Sequence, residues 1–162
     1  MVDTDTPDPM QAARLLREYG VRPSRRLGQS FLTDPAALEK VVRAAGLQND
    51  DVVLEVGAGL GVLTRRLASM AGRVVAVEFD RKLIPILETT LAGLANVDLV
   101  PGDIMRLDLE GLMGKLPYLV VANIPYYLTS ALIRRLLESP QPPRRLVLLV
   151  QKEVGERVVS RP

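Results

Sequence analysis

Four motifs in this 162-residue sequence hold residues whose types and spacing could do chemistry. The first is Glu55-Val-Gly57-Ala-Gly59-Leu-Gly61. Glycines at that density let a backbone approach a ligand closely, and amides at the start of a following helix point toward it. The spacing is G-x-G-x-G, and Val62 stands where the dinucleotide fingerprint wants its last glycine, which argues against NAD. The second is Glu78, 21 positions after Gly57 and at the end of the next apolar run. An acid there is placed to accept hydrogen bonds from a ribose, which indicates an adenosine cofactor without saying which one. The third is Gly102-Asp103-Ile104. A carboxylate at that point can accept from an adenine amino group, with Ile104 and Phe79 flanking the ring. Each of the three also has a plain reading: a tight turn before a helix, a helix-capping acid beside Asp80, and a turn residue after glycine.

The fourth motif, Asn123-Ile124-Pro125-Tyr126, decides between chemistries. An adenine amino group is a poor nucleophile because its lone pair is delocalised into the ring. An Asn side-chain oxygen and a backbone carbonyl can accept its two hydrogens, which favours a tetrahedral nitrogen aimed at a methyl sulfonium. Ile124, preceding proline, is biased toward an extended conformation that helps fix where these groups point. Tyr126 can stack on a base taken out of its helix, as base-modifying enzymes require. Catalysis of this kind rests on orientation and transition-state hydrogen bonds. The bland alternative is a β-turn with a core tyrosine.

What the sequence lacks agrees with such chemistry. It contains neither histidine nor cysteine, so a Ser-His-Asp triad, a cysteine nucleophile, a His/Cys zinc site and a disulfide framework are all excluded. No metal is expected. With 48% apolar and 25% charged residues the composition is that of a soluble globular domain, and no apolar run reaches the roughly 20 residues of a membrane helix. The segment MVDTDTPDPM is acidic and has no apolar stretch, so no secretory signal and a cytoplasmic location are expected. Net charge is +2, carried by 17 Arg and 4 Lys against 19 acidic residues. Residues 128–162 hold +4 of it and the remainder −2. Arginine suits bidentate phosphate contacts, but charge alone does not establish nucleic-acid binding.

The elements that must position these motifs alternate in type. Ala12, Leu15, Leu16 and Tyr19 fall at helical spacing before Gly20. Asp34-Pro35 reads as an N-cap with proline at the first helical position, followed by a helix presenting Leu38, Val41, Val42 and Ala45 and stopping at Gly46. Val52–Val56 reads as a short, fully apolar strand, followed by the glycine loop and a helix to about Ala71. Further strands are expected at Arg73–Val77, Val97–Val100, Tyr118–Ala122 and Leu146–Val150. Helices are expected at Arg81–Leu91, kinked by Pro85, and at Thr129–Leu137. Apolar strands separated by helices indicate a parallel sheet covered on both faces, a doubly wound α/β domain.

The segments RRLGQSFLTD (25–34), LEVGAGLGVLT (54–64), VEFDRKL (77–83), GDIMRLDL (102–109), VANIPYYLTSALIRRLL (121–137) and LLVQKEVGERVV (148–159) resemble the ordered motifs of the small-subunit ribosomal RNA adenine N6,N6-dimethyltransferases. The similarity extends over nearly all of the chain after residue 20. It implies a Rossmann-like class I S-adenosylmethionine-dependent methyltransferase sheet. It also implies transfer of two methyls to N6 of each of two adjacent adenosines near the 3′ end of small-subunit rRNA, on an assembling small ribosomal subunit. Gln29, Ser30, Phe31 and Leu32 would cover the cofactor, Gly57 and Gly59 would approach it, Glu78 and Asp103 would bind its adenosine, and Asn123 would lie between cofactor and target base. Asn123, Pro125 and Tyr126 would form the catalytic set. Ser30 departs from the asparagine usual at its position, though its hydroxyl can still hydrogen-bond.

Residues 1–33 are expected to form a helix, a basic connector and the cofactor-covering segment, and residues 34–162 the methyltransferase domain. Family members continue past the equivalent of Pro162 with the last two strands of the sheet and a helical domain that helps grip RNA. The expectation is therefore an incomplete sheet with Leu146–Val150 as an exposed apolar edge, an aggregation hazard, in a chain otherwise taken to be monomeric. Rival readings are the related large-subunit rRNA adenine methyltransferases, a non-enzymatic ribosome assembly factor with a vestigial cofactor site, and an NAD-binding module.

Overall fold

The structure is a computed structural model that describes residues 9–24, 31–32 and 34–160. The helix α1 (Pro9–Glu18) ends where expected: Gly20 donates to the Arg17 carbonyl and Val21 to that of Leu16. This back-bonding satisfies the last carbonyls of the helix. The helix α2 (Pro35–Ala45) begins as its sequence dictates, the Asp34 carboxylate accepting from the Ala36 amide at 2.9 Å, and closes at Gly46.

Five parallel strands follow: β1 (Val52–Val56), β2 (Arg73–Glu78), β3 (Val97–Pro101), β4 (Tyr118–Asn123) and β5 (Arg145–Leu149). Their order in the sheet is β3-β2-β1-β4-β5. The chain order therefore reverses between β1 and β4, which opens a crevice at their carboxyl ends, where ligands gather in such sheets. Because strand side chains alternate, Val53, Val74, Ala76, Leu119 and Val121 face one layer, with α2, α3 (Val62–Ala68) and α4 (Ile84–Thr90). Leu54, Val56, Val75, Val77, Val120 and Ala122 face the other, with α5 (Leu109–Met113) and α6 (Thr129–Leu137). The central strands are buried on both faces, whereas β3 and β5, at the sheet edges, are only half-buried. The last helix, α7 (Lys152–Val159), buries no residue. No helix among the described residues is long and apolar enough to cross a membrane.

Three expectations need correction. Pro85 does not kink its helix; residues 81–83 form a turn, α4 starts at Ile84, and Pro85 sits in the first helical turn, where a missing N–H leaves no bond unmade. The strand β1 is not wholly apolar, since Glu55 is fully buried within it. The helices α5 and α7, and the 3₁₀ turn at Tyr126–Leu128, have no counterpart among the expected elements.

Candidate active site

The carboxyl ends of the four strands β1 to β4 open onto one cavity of about 280 Å³. Val56, Gly57 and Gly59 line it from β1, Val77, Glu78 and Phe79 from β2, Gly102, Asp103, Ile104 and Met105 from β3, and Asn123, Ile124 and Pro125 from β4. All four sequence motifs thus meet at a single place, although their residues are far apart in the chain.

The floor of the cavity is set by close backbone approach. Gly57 has φ +81, and a Cβ there would lie 3.3 Å from the Asn123 carbonyl oxygen. Only glycine lets the end of β1 come this near to the end of β4. The Gly57 and Ala58 amides donate to the Val77 carbonyl at 2.9 and 3.2 Å, which ties the loop to β2 as well. Gly61, with φ +82, serves packing instead: a Cβ would meet Thr90 Oγ1 at 2.8 Å and the Leu91 side chain at 3.1 Å, so α3 could not seat against the end of α4.

Glu78 is 6% exposed and is held from both sides. One oxygen accepts from the Gly59 amide at 2.8 Å and the other from the Asp80 amide at 2.7 Å. Burial raises its pKa above the usual carboxylate value, while the Asp80 and Gly59 amides pull it back. The plain reading of this residue as a cap of the next helix does not hold, since α4 begins at Ile84 without a side-chain cap; Glu78 instead fastens the loops after β1 and β2 and lines the cavity, with lone pairs to spare. Asp103 accepts from the Met105 amide at 2.9 Å, an Asx turn that aims its second oxygen outward, 3.6 Å from the exposed Arg106 Nε.

Asn123 closes β4 and lines the cavity at the switch point. Pro125 follows in an extended conformation, φ −59 and ψ 144, and its carbonyl accepts from the Leu128 amide and the Thr129 hydroxyl at 3.1 and 3.4 Å. The 3₁₀ turn that results sends the two tyrosines in different directions. Both are more than half exposed, but Tyr127 lines the cavity and Tyr126 does not, the rings packed edge to face with centroids 5.9 Å apart. Phe31 lies over Gly59, its ring 3.3 Å from where a Cβ would be, and Leu32 lines a smaller neighbouring cavity with Gly57, Gly59 and Asn123. Gln29 and Ser30 lie outside the described residues.

Two residues with no role assigned from the sequence also belong here. Tyr127 is one; its only signal is the doubled tyrosine. The other is Glu55, which lines the smaller cavity, of about 30 Å³. Neither of its oxygens has a hydrogen-bond partner among the described residues. Burial pushes its pKa up to about 8; the nearby Thr64 hydroxyl, itself buried and outside hydrogen-bond geometry, acts against this, and the Glu78 charge adds to it. The signal for Glu55 is an acid between apolar neighbours in a central strand. Among the described residues no cluster of acidic side chains is placed to hold a metal.

Known proteins place this geometry in context. The sequence matches the ribosomal RNA adenine dimethylase family over residues 21–162. It is 45% identical, over 95% of its length, to a ribosomal RNA small subunit methyltransferase A of Moorella thermoacetica, and 43% identical, again over 95%, to one of Alkaliphilus metalliredigens. It spans 57% and 55% of the lengths of these two relatives. Among solved structures, a dimethyladenosine transferase from Plasmodium falciparum superposes with a TM-score of 0.72 at 30% identity, over 82% of this chain and 47% of that one. The 23S rRNA methyltransferase ErmE does so with 0.69 at 33% identity, over 78% of this chain and 50% of that one. With the family matched over nearly all of its length and the motifs gathered at one sheet edge, the chain belongs to the ribosomal RNA adenine dimethylases.

Proposed function

We propose that this chain, acting as a cytoplasmic monomer, carries the catalytic centre of an S-adenosylmethionine-dependent enzyme that methylates N6 of two adjacent adenosines near the 3′ end of small-subunit rRNA, on the assembling small ribosomal subunit. The observation that carries this reading is the convergence of Gly57, Glu78, Asp103 and Asn123 on one cavity at the switch point of the sheet.

The residues present fit the cofactor. Glu78 offers a carboxylate with spare lone pairs to ribose hydroxyls, and Asp103 offers one to an adenine amino group. Ile104 and the exposed Phe79 ring supply apolar faces for the base. Gly57 leaves the room that a side chain would fill, and Leu32, with Gln29 and Ser30, is assigned to cover the cofactor. Bound S-adenosylmethionine supplies an electrophilic methyl on a sulfonium.

The chain's own contribution is to hold the acceptor nitrogen. The Asn123 side-chain oxygen and a backbone carbonyl of the Asn123–Pro125 turn accept its two hydrogens, so its lone pair leaves conjugation with the ring and faces the methyl. Pro125 fixes that turn, and its carbonyl is anchored by Leu128 and Thr129. Tyr126, exposed beside the cavity mouth and braced by Tyr127, stacks on the extruded base. Preorganised hydrogen bonds of this kind contribute about 3 kcal/mol each to lowering such a barrier.

The name carried by the curated relatives favours small-subunit RNA. The similarity to ErmE supports large-subunit RNA as a second reading. The test is to incubate the protein with S-adenosylmethionine and either unmethylated small subunits or large-subunit RNA, and to quantify dimethyladenosine by mass spectrometry. Dimethylation confined to the small subunit, and lost in Asn123→Ala, is expected. Modification of the large-subunit RNA instead would favour the second reading, and RNA binding with no methylation of either would favour an assembly factor.

A further inference from the structure

Glu55 is the one residue of the site whose chemistry the proposed mechanism leaves unused. Strand alternation turns its side chain to the same sheet face as Val53, beneath α3. It is 0% exposed, and both oxygens are without a hydrogen-bond partner among the described residues. The cavity of about 30 Å³ against it is bounded by Phe31, Leu32, Gly57, Leu63 and Asn123, of which Phe31, Gly57 and Asn123 also bound the larger cavity. The carboxyl therefore stands at a wall shared with the proposed cofactor space, in a volume large enough for a water molecule or an ammonium group.

An ionised carboxylate with no donor is strongly disfavoured in such surroundings, whereas a neutral acid is tolerated. Of the groups around it, the Thr64 hydroxyl opposes this only in part, and burial outweighs it. From β2 the charge that bears on it is that of Glu78, which opposes ionisation. The partners in register are Ala76 on β2 and Val121 on β4, neither titratable. On α3, Thr64 is the neighbour, while Arg65 donates to the Thr90 carbonyl and Arg66 pairs with Glu39 of α2.

We propose that Glu55 is a neutral acid in the ligand-free chain and gives up its proton to solvent when a cationic cofactor occupies the adjoining cavity, so that cofactor binding is proton-linked. The inference rests on the S-adenosylmethionine reading above. The carboxyl O–H bond breaks, its electron pair stays on the carboxylate, and the proton passes to the buffer. The resulting negative charge offsets the positive charge brought by the ligand. That positive charge has two sources on S-adenosylmethionine, the sulfonium and the α-ammonium, and S-adenosylhomocysteine retains only the second.

Calorimetric titration of the whole chain at pH 7, in two buffers of different ionisation enthalpy, counts the protons. The wild type is expected to release about one proton per S-adenosylmethionine bound, and its affinity to rise by close to tenfold per pH unit between pH 6 and 7.5. Glu55→Gln, isosteric and never charged, is expected to bind with no such release and a flatter profile. Release with S-adenosylhomocysteine as well assigns the effect to the ammonium; release with S-adenosylmethionine alone assigns it to the sulfonium. Binding with no buffer-dependent heat in the wild type overturns the inference and leaves the cofactor reading standing, as does an unchanged proton count in Glu55→Gln. No binding of either ligand removes both. A wild-type count of zero overturns the inference even if the variant fails to fold.

Discussion

Glu55 and Glu78 lie on adjacent central strands of one sheet, both buried and both at its carboxyl edge, yet the fold gives them opposite surroundings. Glu78 is the last residue of β2, where the chain has begun to turn, so the amides of Gly59 and Asp80 reach its two oxygens. Glu55 comes one residue before the end of β1, where the ladder to β2 and β4 still occupies the local amides and its side chain faces apolar packing. Glu55 pairs in register with Ala76, so a step of two positions along the ladder separates a carboxylate built into a loop from one left without donors. The first is suited to hold a ligand by hydrogen bonds, and the second to respond to charge.

The comparison can be broken most severely at Glu78. Replacement by alanine removes the acceptor for two backbone amides and for a ribose, and S-adenosylmethionine affinity is expected to fall about a hundredfold, equivalent to roughly 3 kcal/mol. Glu78→Gln, which keeps one acceptor oxygen, is expected to lose less. Titration calorimetry measures both, and an alanine variant within threefold of wild type would refute the role given to this residue.

A second test disturbs the cover of Glu55 and leaves Glu78 intact. Gly61→Ala places a methyl against Thr90 and Leu91 at positive φ and shifts α3, with an expected loss of about 2 kcal/mol in denaturant unfolding. Gly93→Ala, at φ +84 but with open space around it, is expected to lose only about 1 kcal/mol, from backbone strain alone. Equal losses would show that packing at α3 contributes nothing.

A third sharpens the contrast through pH. The pKa of Glu55 is raised in the folded chain to about 8 from its ordinary value of 4.5, so the folded state holds the proton more tightly than the unfolded one. Its stabilising contribution is therefore complete below about pH 4.5 and declines as pH rises toward 8, by at most about 1.4 kcal/mol per pH unit. Glu78, raised in the same direction but held by amides, adds to the slope with the same sign. Urea unfolding at pH 5, 6.5 and 8 should show this decline in the wild type and a flatter profile in Glu55→Gln. Parallel profiles would mean that Glu55 is ionised in the folded chain.

Much of the fold is legible in local chemistry alone. Asp34-Pro35 and Gly46 bracket α2 because capping depends on neighbours in sequence, and apolar strands separated by helices indicate a parallel sheet. Pro85 misleads because a proline in a helical stretch is compatible with a kink or with a start, and only packing of the preceding turn selects the start. The helix α5 is five residues long and contains Gly111, too little to show a period, while α7 has an apolar side, with Val154 and Val158 one turn apart, but buries none of it. At the site, glycine spacing and strand-end acids locate Gly57, Gly59, Glu78, Asp103 and Asn123 at one cavity. Glu55 does not stand out as a functional group because its four apolar neighbours in β1 dominate the pattern. Which of Tyr126 and Tyr127 lines the cavity depends on a 3₁₀ turn whose hydrogen bond, from the Thr129 amide back to Tyr126, carries no sequence signature.

The central claim is that the crevice at the ends of β1, β2, β3 and β4 takes S-adenosylmethionine. Titration of the folded chain with S-adenosylmethionine, with NAD as the competing adenosine ligand, tests it most directly. Saturable binding of S-adenosylmethionine with NAD weaker by at least tenfold is the predicted result. A folded chain that binds NAD as well or better, or binds neither, would contradict it.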